Sequence, residues 1–383
     1  MLLKHIVIAI DSFKGSLSST SAGQAAAAAC RALFPVARID VFPLADGGEG
    51  TVDALTTGLR GCIVPVTVTG PLGTPVKSRY GLLPETRTAV IEMADAAGLT
   101  LVPPSQRNPL HTTTYGLGEL VLAACKAGCR DFIIGIGGSA TNDCGLGMLT
   151  ALGWRFLRRD GTVAGITGGD LASVVTIDSS AVEPPLADCR FRIACDVTNP
   201  LYGPDGCSAV FGPQKGATPA IVKDMDAAAC QFSRLAERAT GRRGATLPGA
   251  GAAGGLGFAF HTFLRGTLVP GSELCLDAIG IRDALRDADL LITGEGRMDA
   301  QTSMGKGPVG VATLARTVNH HIRTFAVCGC ALPDAEIVNA HGIDAYFPIL
   351  HLPTTAAEAM KEQTARSNLQ RTVTQCLRLL TRV

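Results

Sequence analysis

Five stretches of this 383-residue chain gather carboxylates, hydroxyls, amides and cations beside glycine, each directly after an apolar run. Asp11-Ser12-Phe13-Lys14-Gly15-Ser16 follows IVIAI. A lysine beside backbone N–H groups at a strand-to-helix turn can clamp a phosphate; an N-cap loop with a solvent-facing Lys14 is the plainer alternative. Leu44–Thr51 reads LADGGEGT and sets Asp46 and Glu49 around a glycine pair. Hard oxygen donors on such a bend suit Mg2+ or grip a polyol hydroxyl, and an acidic helix N-terminus explains Glu49 equally simply. In Gly135–Asp143, GIGGSATND, the residues Gly137, Gly138, Ser139 and Thr141 are able to wrap phosphates as a backbone nest. Cys195–Leu201 puts Asp196 and Asn199 before a proline break, where Asp196 either accepts a proton from a substrate hydroxyl or closes an Asx turn. The nearby GPQKG loop adds Lys215. Finally, Thr293–Gly307 combines Glu295, Arg297 and Lys306. Arg297 offers a planar fork for a carboxylate or phosphate, or for a partner within its own loop.

The elements that must position these groups are legible as periodicity. Continuous apolar runs at 5–11, 38–46, 62–70, 88–95, 131–138, 191–196, 289–296 and 324–329 read as strands buried on both faces. Helical patterns fall between them at 18–33, 114–127, 219–240, 308–317 and 356–380. Alternating strands and helices give an α/β fold with largely parallel sheets. The acids Asp11, Asp46, Asp196 and Glu295 then sit at carboxyl ends of strands, the edge where open parallel sheets bind ligands. Residues 71–104 are strand-rich and 161–185 lack a helical period, so the middle of the chain differs from its ends.

Composition narrows the function classes. With 34 Lys+Arg against 33 Asp+Glu, the net charge of +1 supplies no basic surplus for a nucleic acid backbone. Thirteen cysteines without a CxxC, and no secretory leader, read as packed thiols of a reduced, cytoplasmic protein. The uncharged stretch 244–264 holds Pro248 and six glycines, and reads as a Gly-rich loop entering a buried helix rather than a membrane span. Glycine, at 45 residues or roughly 12% against a usual value near 7%, concentrates in short clusters suited to tight turns and ligand approach. The GxGxxG at Gly249, Gly251 and Gly254 lacks the preceding apolar strand of a dinucleotide site. Gly254 and Gly255 are left to packing or to another kind of phosphate loop. No Walker motif, HExxH or GxSxG occurs. Glycine loops with Lys, Arg and several carboxylates are the inventory of metal-assisted phosphoryl transfer.

Five motifs in collinear order resemble the bacterial glycerate kinases of the two-domain type: AIDSFKGSLSS at 9–19, PLADGGEGT at 43–51, GIGGSATNDCGLGML at 135–149, CDVTNPLYGPDGCSAVFGPQKGA at 195–217 and DLLITGEGRMDAQTSMGKGPVGVA at 289–312. The resemblance implies ATP-dependent, Mg2+-assisted phosphorylation of D-glycerate, with 2-phosphoglycerate as product. It also implies a flavodoxin-like domain built from both chain ends (1–73 and 286–383), an inserted mixed α/β domain (74–285), and an active site in the cleft between them. A homo-oligomer is compatible with this family; a nucleic acid or membrane partner is not expected. Within that frame the expected catalytic residues are Lys14, Asp196 and Arg297. Asp11, Ser12, Asp46, Asn199 and Glu295 are expected to bind glycerate. Ser16, Gly137, Gly138, Ser139, Thr141, Lys215, Gly254 and Gly255 are expected to bind ATP, with Asp46 and Glu49 on Mg2+. A kinase for another small hydroxy acid, or one giving 3-phosphoglycerate, and a non-catalytic acid-binding protein are the competing readings.

Overall fold

The computed structural model describes residues 3–45, 47–304 and 307–380; Asp46 and Lys306 lie outside the described residues. In chain order the strands are β1 (His5–Ile10), β2 (Arg38–Pro43), β3 (Cys62–Thr69), β4 (Pro75–Leu83), β5 (Thr88–Glu92), β6 (Asp131–Gly135), β7 (Arg155–Leu157), β8 (Thr176–Asp178), β9 (Arg190–Ala194), β10 (Thr267–Val269), β11 (Leu290–Met298), β12 (Arg323–Ala331) and β13 (Ala345–Pro348). The helices are α1 (Ser19–Leu33), α2 (Thr51–Gly58), α3 (Ala94–Ala97), α4 (Tyr115–Lys126), α5 (Leu146–Ala151), α6 (Cys207–Phe211), α7 (Pro219–Thr240), α8 (Ala252–Leu264), α9 (Gly271–Ile279), α10 (Ile281–Leu285), α11 (Gly307–Val318), α12 (Ala356–Ala359) and α13 (Glu362–Leu380).

The chain divides into two compact units. The terminal unit comprises Met1–Asp46, Asp53–Leu59 and Ser272–Val383; the middle unit comprises Gly47–Val52 and Arg60–Gly271. In the terminal unit five strands run in the order β13-β12-β11-β1-β2, all parallel. Renumbered within the unit this is 2-1-3-4-5, the flavodoxin-like order, which reverses direction between β1 and β11. Every residue of β1 is buried because helices cover both faces. Ile6, Ile8 and Ile10 pack with Ala22, Ala26 and Cys30 of α1 and Leu369 and Val373 of α13. On the other face Ala326 and Cys328 pack with Val309 and Ala312 of α11. Alanine along α1 lets that helix lie close to the sheet, and the Ser18 side chain caps its start by accepting from the Ser21 N–H at 3.1 Å.

The middle unit holds a six-stranded mixed sheet, β10-β9-β6-β5-β4-β3, and a β7-β8 ribbon. Strands β10, β9, β6 and β5 are parallel, and β4 and β3 are antiparallel additions. Its core includes the stacked pair Phe132–Phe191, with centroids 4.9 Å apart, and helices α4 and α8. Two boundaries differ from expectation. Cys62–Thr69, placed by sequence in the terminal domain, pairs with β4 across a tight turn in which the Gly70 N–H donates to the Thr74 carbonyl at 2.7 Å. A hairpin is a local pairing, so β3 goes with its sequence neighbour into the middle sheet. At the other end the terminal unit resumes at Ser272 instead of 286, taking most of α9 and all of α10 with it.

Candidate active site

The carboxyl edge of the terminal sheet carries the first group of functional side chains. Where β1 ends, the Asp11 N–H donates to the Gly294 carbonyl of β11 at 2.8 Å, and the Asp11 carboxylate accepts from the Ser12 N–H at 2.6 Å. The chain then turns: the Ser16 N–H donates to the Phe13 carbonyl at 2.8 Å with Gly15 at φ +75°. Only glycine takes that conformation without strain. The turn leaves Lys14 exposed, in no ion pair among the described residues. The Ser16 hydroxyl is sealed from solvent with no hydrogen-bond partner among them.

Opposite this turn, β11 runs on past the end of β1 as Glu295-Gly296-Arg297, still paired with β12. Close backbone approach explains its glycines: a Cβ on Gly294 would lie 2.0 Å from the Val327 carbonyl oxygen. Arg297 donates to Asp299 through Nε at 3.0 Å and Nη2 at 2.8 Å, while the Thr302 hydroxyl donates to Glu295 at 2.6 Å. The fork is thereby fixed in orientation while its side chain stays mostly exposed. Together with Gly329 and Cys330 of β12 and the segment after β13, these residues line a pocket of about 520 Å3. It lies at the β1/β11 switch point, where open parallel sheets take their ligands. Of the expected residues it brings together Asp11, Ser12, Lys14, Ser16, Glu295 and Arg297.

The middle unit gathers a second group at the carboxyl ends of β5, β6 and β9. The Gly47–Gly50 loop packs directly onto them, for a Cβ on Gly135 would meet the Gly47 carbonyl oxygen at 2.2 Å and one on Gly47 would meet the Ala194 Cβ at 2.4 Å. Glu49, Gly137, Gly138 and Asp196 are exposed here. Asp196 accepts from the Gly271 N–H at the start of α9 at 2.8 Å. The Asn199 amide donates to the Asp205 carbonyl at 2.9 Å, closing its own loop.

Behind this edge the expected phosphate cradle is packed rather than open. Lys215 is buried, with Nζ donating to the Ser139 hydroxyl at 2.7 Å and the Thr141 carbonyl at 2.6 Å, and burial pulls its pKa down to about 8. It braces the glycine loop from inside and is not presented to solvent as a phosphate grip. Gly254 and Gly255 adopt φ +68° and +92°, and a Cβ on Gly254 would lie 2.1 Å from the Thr141 carbonyl oxygen. The GxGxxG segment therefore serves close packing of the α8 start against residues 141–144. Asp143, fully buried, accepts from the Thr114 N–H and hydroxyl and from the N–H groups of Gly145 and Gly147; burial raises its pKa against those bonds.

One residue of this edge escaped the sequence reading. Glu92 ends β5, is only 4% exposed, and accepts from the Val52 N–H at 2.7 Å. Burial pushes its pKa up to about 7, against the pull of the Val52 and Gly50 amides. The sole local signal was an acid closing an apolar strand, TAVIE, the pattern already noted at Asp11 and Asp196.

Comparison with known proteins identifies the family. The sequence profile of the glycerate kinase family matches residues 6–381. The chain is 47% identical over 356 residues to a glycerate kinase of Haemophilus influenzae, covering 93% of this chain and 94% of that one. It is 44% identical over 356 residues to the glycerate 2-kinase of Escherichia coli, covering 93% of each. A crystal structure of a putative glycerate kinase 2 from Salmonella typhimurium LT2 superposes with a TM-score of 0.91 at 44% identity, covering 99% of this chain and 98% of that one. Profile, relatives and fold agree over nearly the whole length, and the chain belongs to the glycerate kinase family.

Proposed function

We infer that this protein is a glycerate 2-kinase: it transfers the γ-phosphoryl group of ATP to the 2-hydroxyl of D-glycerate and releases ADP and 2-phosphoglycerate. One observation carries this function beyond family membership. The switch-point pocket joins a cation on a tight turn, Lys14, to hydrogen-bonded carboxylates just after β1 and within β11. Phosphoryl transfer depends chiefly on positioning and charge neutralisation, and those groups are the means for both.

Among the described residues no cluster of three or more His, Cys, Asp or Glu side chains forms a cage for a metal. Mg2+ is instead commonly held by one or two carboxylates together with substrate phosphates. Asp11 and Glu295, hard oxygen donors lining the pocket, fit that role. Mg2+ held there would neutralise phosphate oxygens. Lys14 then meets the negative charge of the transferring group, and Arg297, held by Asp299, offers its fork to the glycerate carboxylate. Asp196, exposed just past the end of β9 in the middle unit, is the carboxylate we assign as proton acceptor for a substrate hydroxyl. Coupled ADP release with D-glycerate, followed by NMR of the product, tests the whole assignment. ADP release with another hydroxy acid only, 3-phosphoglycerate as product, or glycerate binding without ATP consumption would each overturn it.

A further inference from the structure

We propose that the pocket at the β1/β11 switch point is the nucleotide subsite, with the adenine of ATP held on its apolar wall and the phosphates running toward the Lys14 turn. The identity of the nucleotide rests on the kinase reading above; the location of the subsite does not.

Size and surface chemistry both suit a ligand larger and less polar than glycerate. The pocket measures about 520 Å3, within the roughly 300–1,000 Å3 that suits drug-sized ligands. Glycerate has three carbons, each carrying oxygen, and presents no apolar face. Yet the pocket lining includes Phe13, Ile349, Leu350, Ala359 and Met360. Burying that wall against a polyol acid gains nothing, whereas a purine ring would cover it on one flat face. Leu350 and Met360 are 41% and 46% exposed, large apolar side chains left facing solvent at the rim. Methionine is flexible and polarisable, and makes favourable sulfur contacts with an aromatic ring.

Geometry connects this wall to the polar end. A Cβ on Gly15 would lie 2.5 Å from the Met360 methyl group, so the base wall and the Lys14-Gly15-Ser16 turn are in contact. The Ser16 hydroxyl, without a partner among the described residues, lines the same pocket. The rival location in the middle unit has lost its cation, since the Lys215 ammonium is buried and engaged by Ser139 and Thr141. Gly137 and Gly138, beside it, are both exposed.

Two measurements on the full-length protein test the subsite. Photolabelling with 8-azido-ATP followed by peptide mapping should mark residues 349–365; a label confined to 135–147 or 212–216 overturns the proposal. Ala359→Trp should fill the wall and raise both the Kd for a fluorescent ADP analogue and KM for ATP by about ten-fold or more, with KM for glycerate within about two-fold. A rise in glycerate KM with ATP unaffected overturns it. Met360→Ala, a rim change less demanding on folding, should shift the ADP analogue in the same direction, and an unchanged affinity in a folded Met360→Ala counts against the wall. ADP binding and labelling at 349–365 without glycerate turnover would refute the kinase reading and leave the subsite standing. Glycerate turnover with the label in the middle unit would do the reverse, and no ADP binding at millimolar concentration would refute both.

Discussion

Glu92→Gln is the most discriminating single change in the middle unit. The buried carboxyl titrates near 7 in the folded protein against 4.5 for an ordinary glutamate. Between those values the native state keeps a proton that the unfolded chain releases, so stability falls as pH rises through the window. At about 1.4 kcal/mol per pKa unit, the raised pKa costs the wild type about 3 kcal/mol at pH 8 and about 1 kcal/mol at pH 5. Glutamine keeps an oxygen to accept from the Val52 N–H but has no proton to lose. Its stability relative to wild type should therefore rise by about 2 kcal/mol between pH 5 and pH 8, whatever the substitution costs at both. The only tryptophan, Trp154, is buried in this same unit, so its fluorescence reports the relevant unfolding. With a urea dependence of about 2 kcal/mol per molar, the gap between the two midpoints should widen by about 1 M from pH 5 to pH 8. A gap that stays constant across pH would refute the raised pKa and, with it, the picture of a carboxyl sealed under the Gly47–Gly50 loop.

Other substitutions separate charge from scaffold. Lys14→Ala, at an exposed turn, should leave the fold intact and lower kcat by about 10²–10³-fold in the coupled assay. Full turnover would remove Lys14 from catalysis. Asp196→Asn keeps an oxygen for the Gly271 N–H and should lower kcat by about ten-fold, less than Lys14→Ala, because a base matters less than charge neutralisation in this chemistry. Lys215→Met strips two hydrogen bonds from the buried glycine loop and should cost about 1–3 kcal/mol in urea unfolding followed through Trp154. Loss of activity with unchanged stability would instead return Lys215 to direct phosphate contact.

The strands legible in the sequence were those whose burial makes them continuous apolar runs, such as β1, β6 and β11. The glycine-rich stretch at 244–264 was likewise legible as a loop entering a buried helix, and α8 is that helix. β13, four half-exposed residues at a sheet edge, and β10, three residues long, carry no such signature. Partner choice is not written locally: nothing in CIVPVTVT distinguishes a sixth strand of the terminal sheet from an edge of the middle one. The site divides along the same line. Asp11 and Lys14 were readable because they follow the apolar run of β1, and Glu295 and Arg297 because they continue that of β11. The inward turn of Lys215 depends on Ser139 and Thr141, and the burial of Glu92 on Val52, contacts made 40 or more residues away.

The parallel pairing of Ile6 with Leu290 sets an order of assembly on the ribosome. The middle unit, almost wholly contiguous, is fully encoded by residue 271, before β11 exists. β1 must wait beside β2 alone for roughly a quarter of a minute to a minute at ordinary synthesis rates. The wall formed by Leu350, Ala359 and Met360 arrives later still. The switch-point pocket is thus completed only when residues 349–365 have been made, after the whole middle unit has been synthesised.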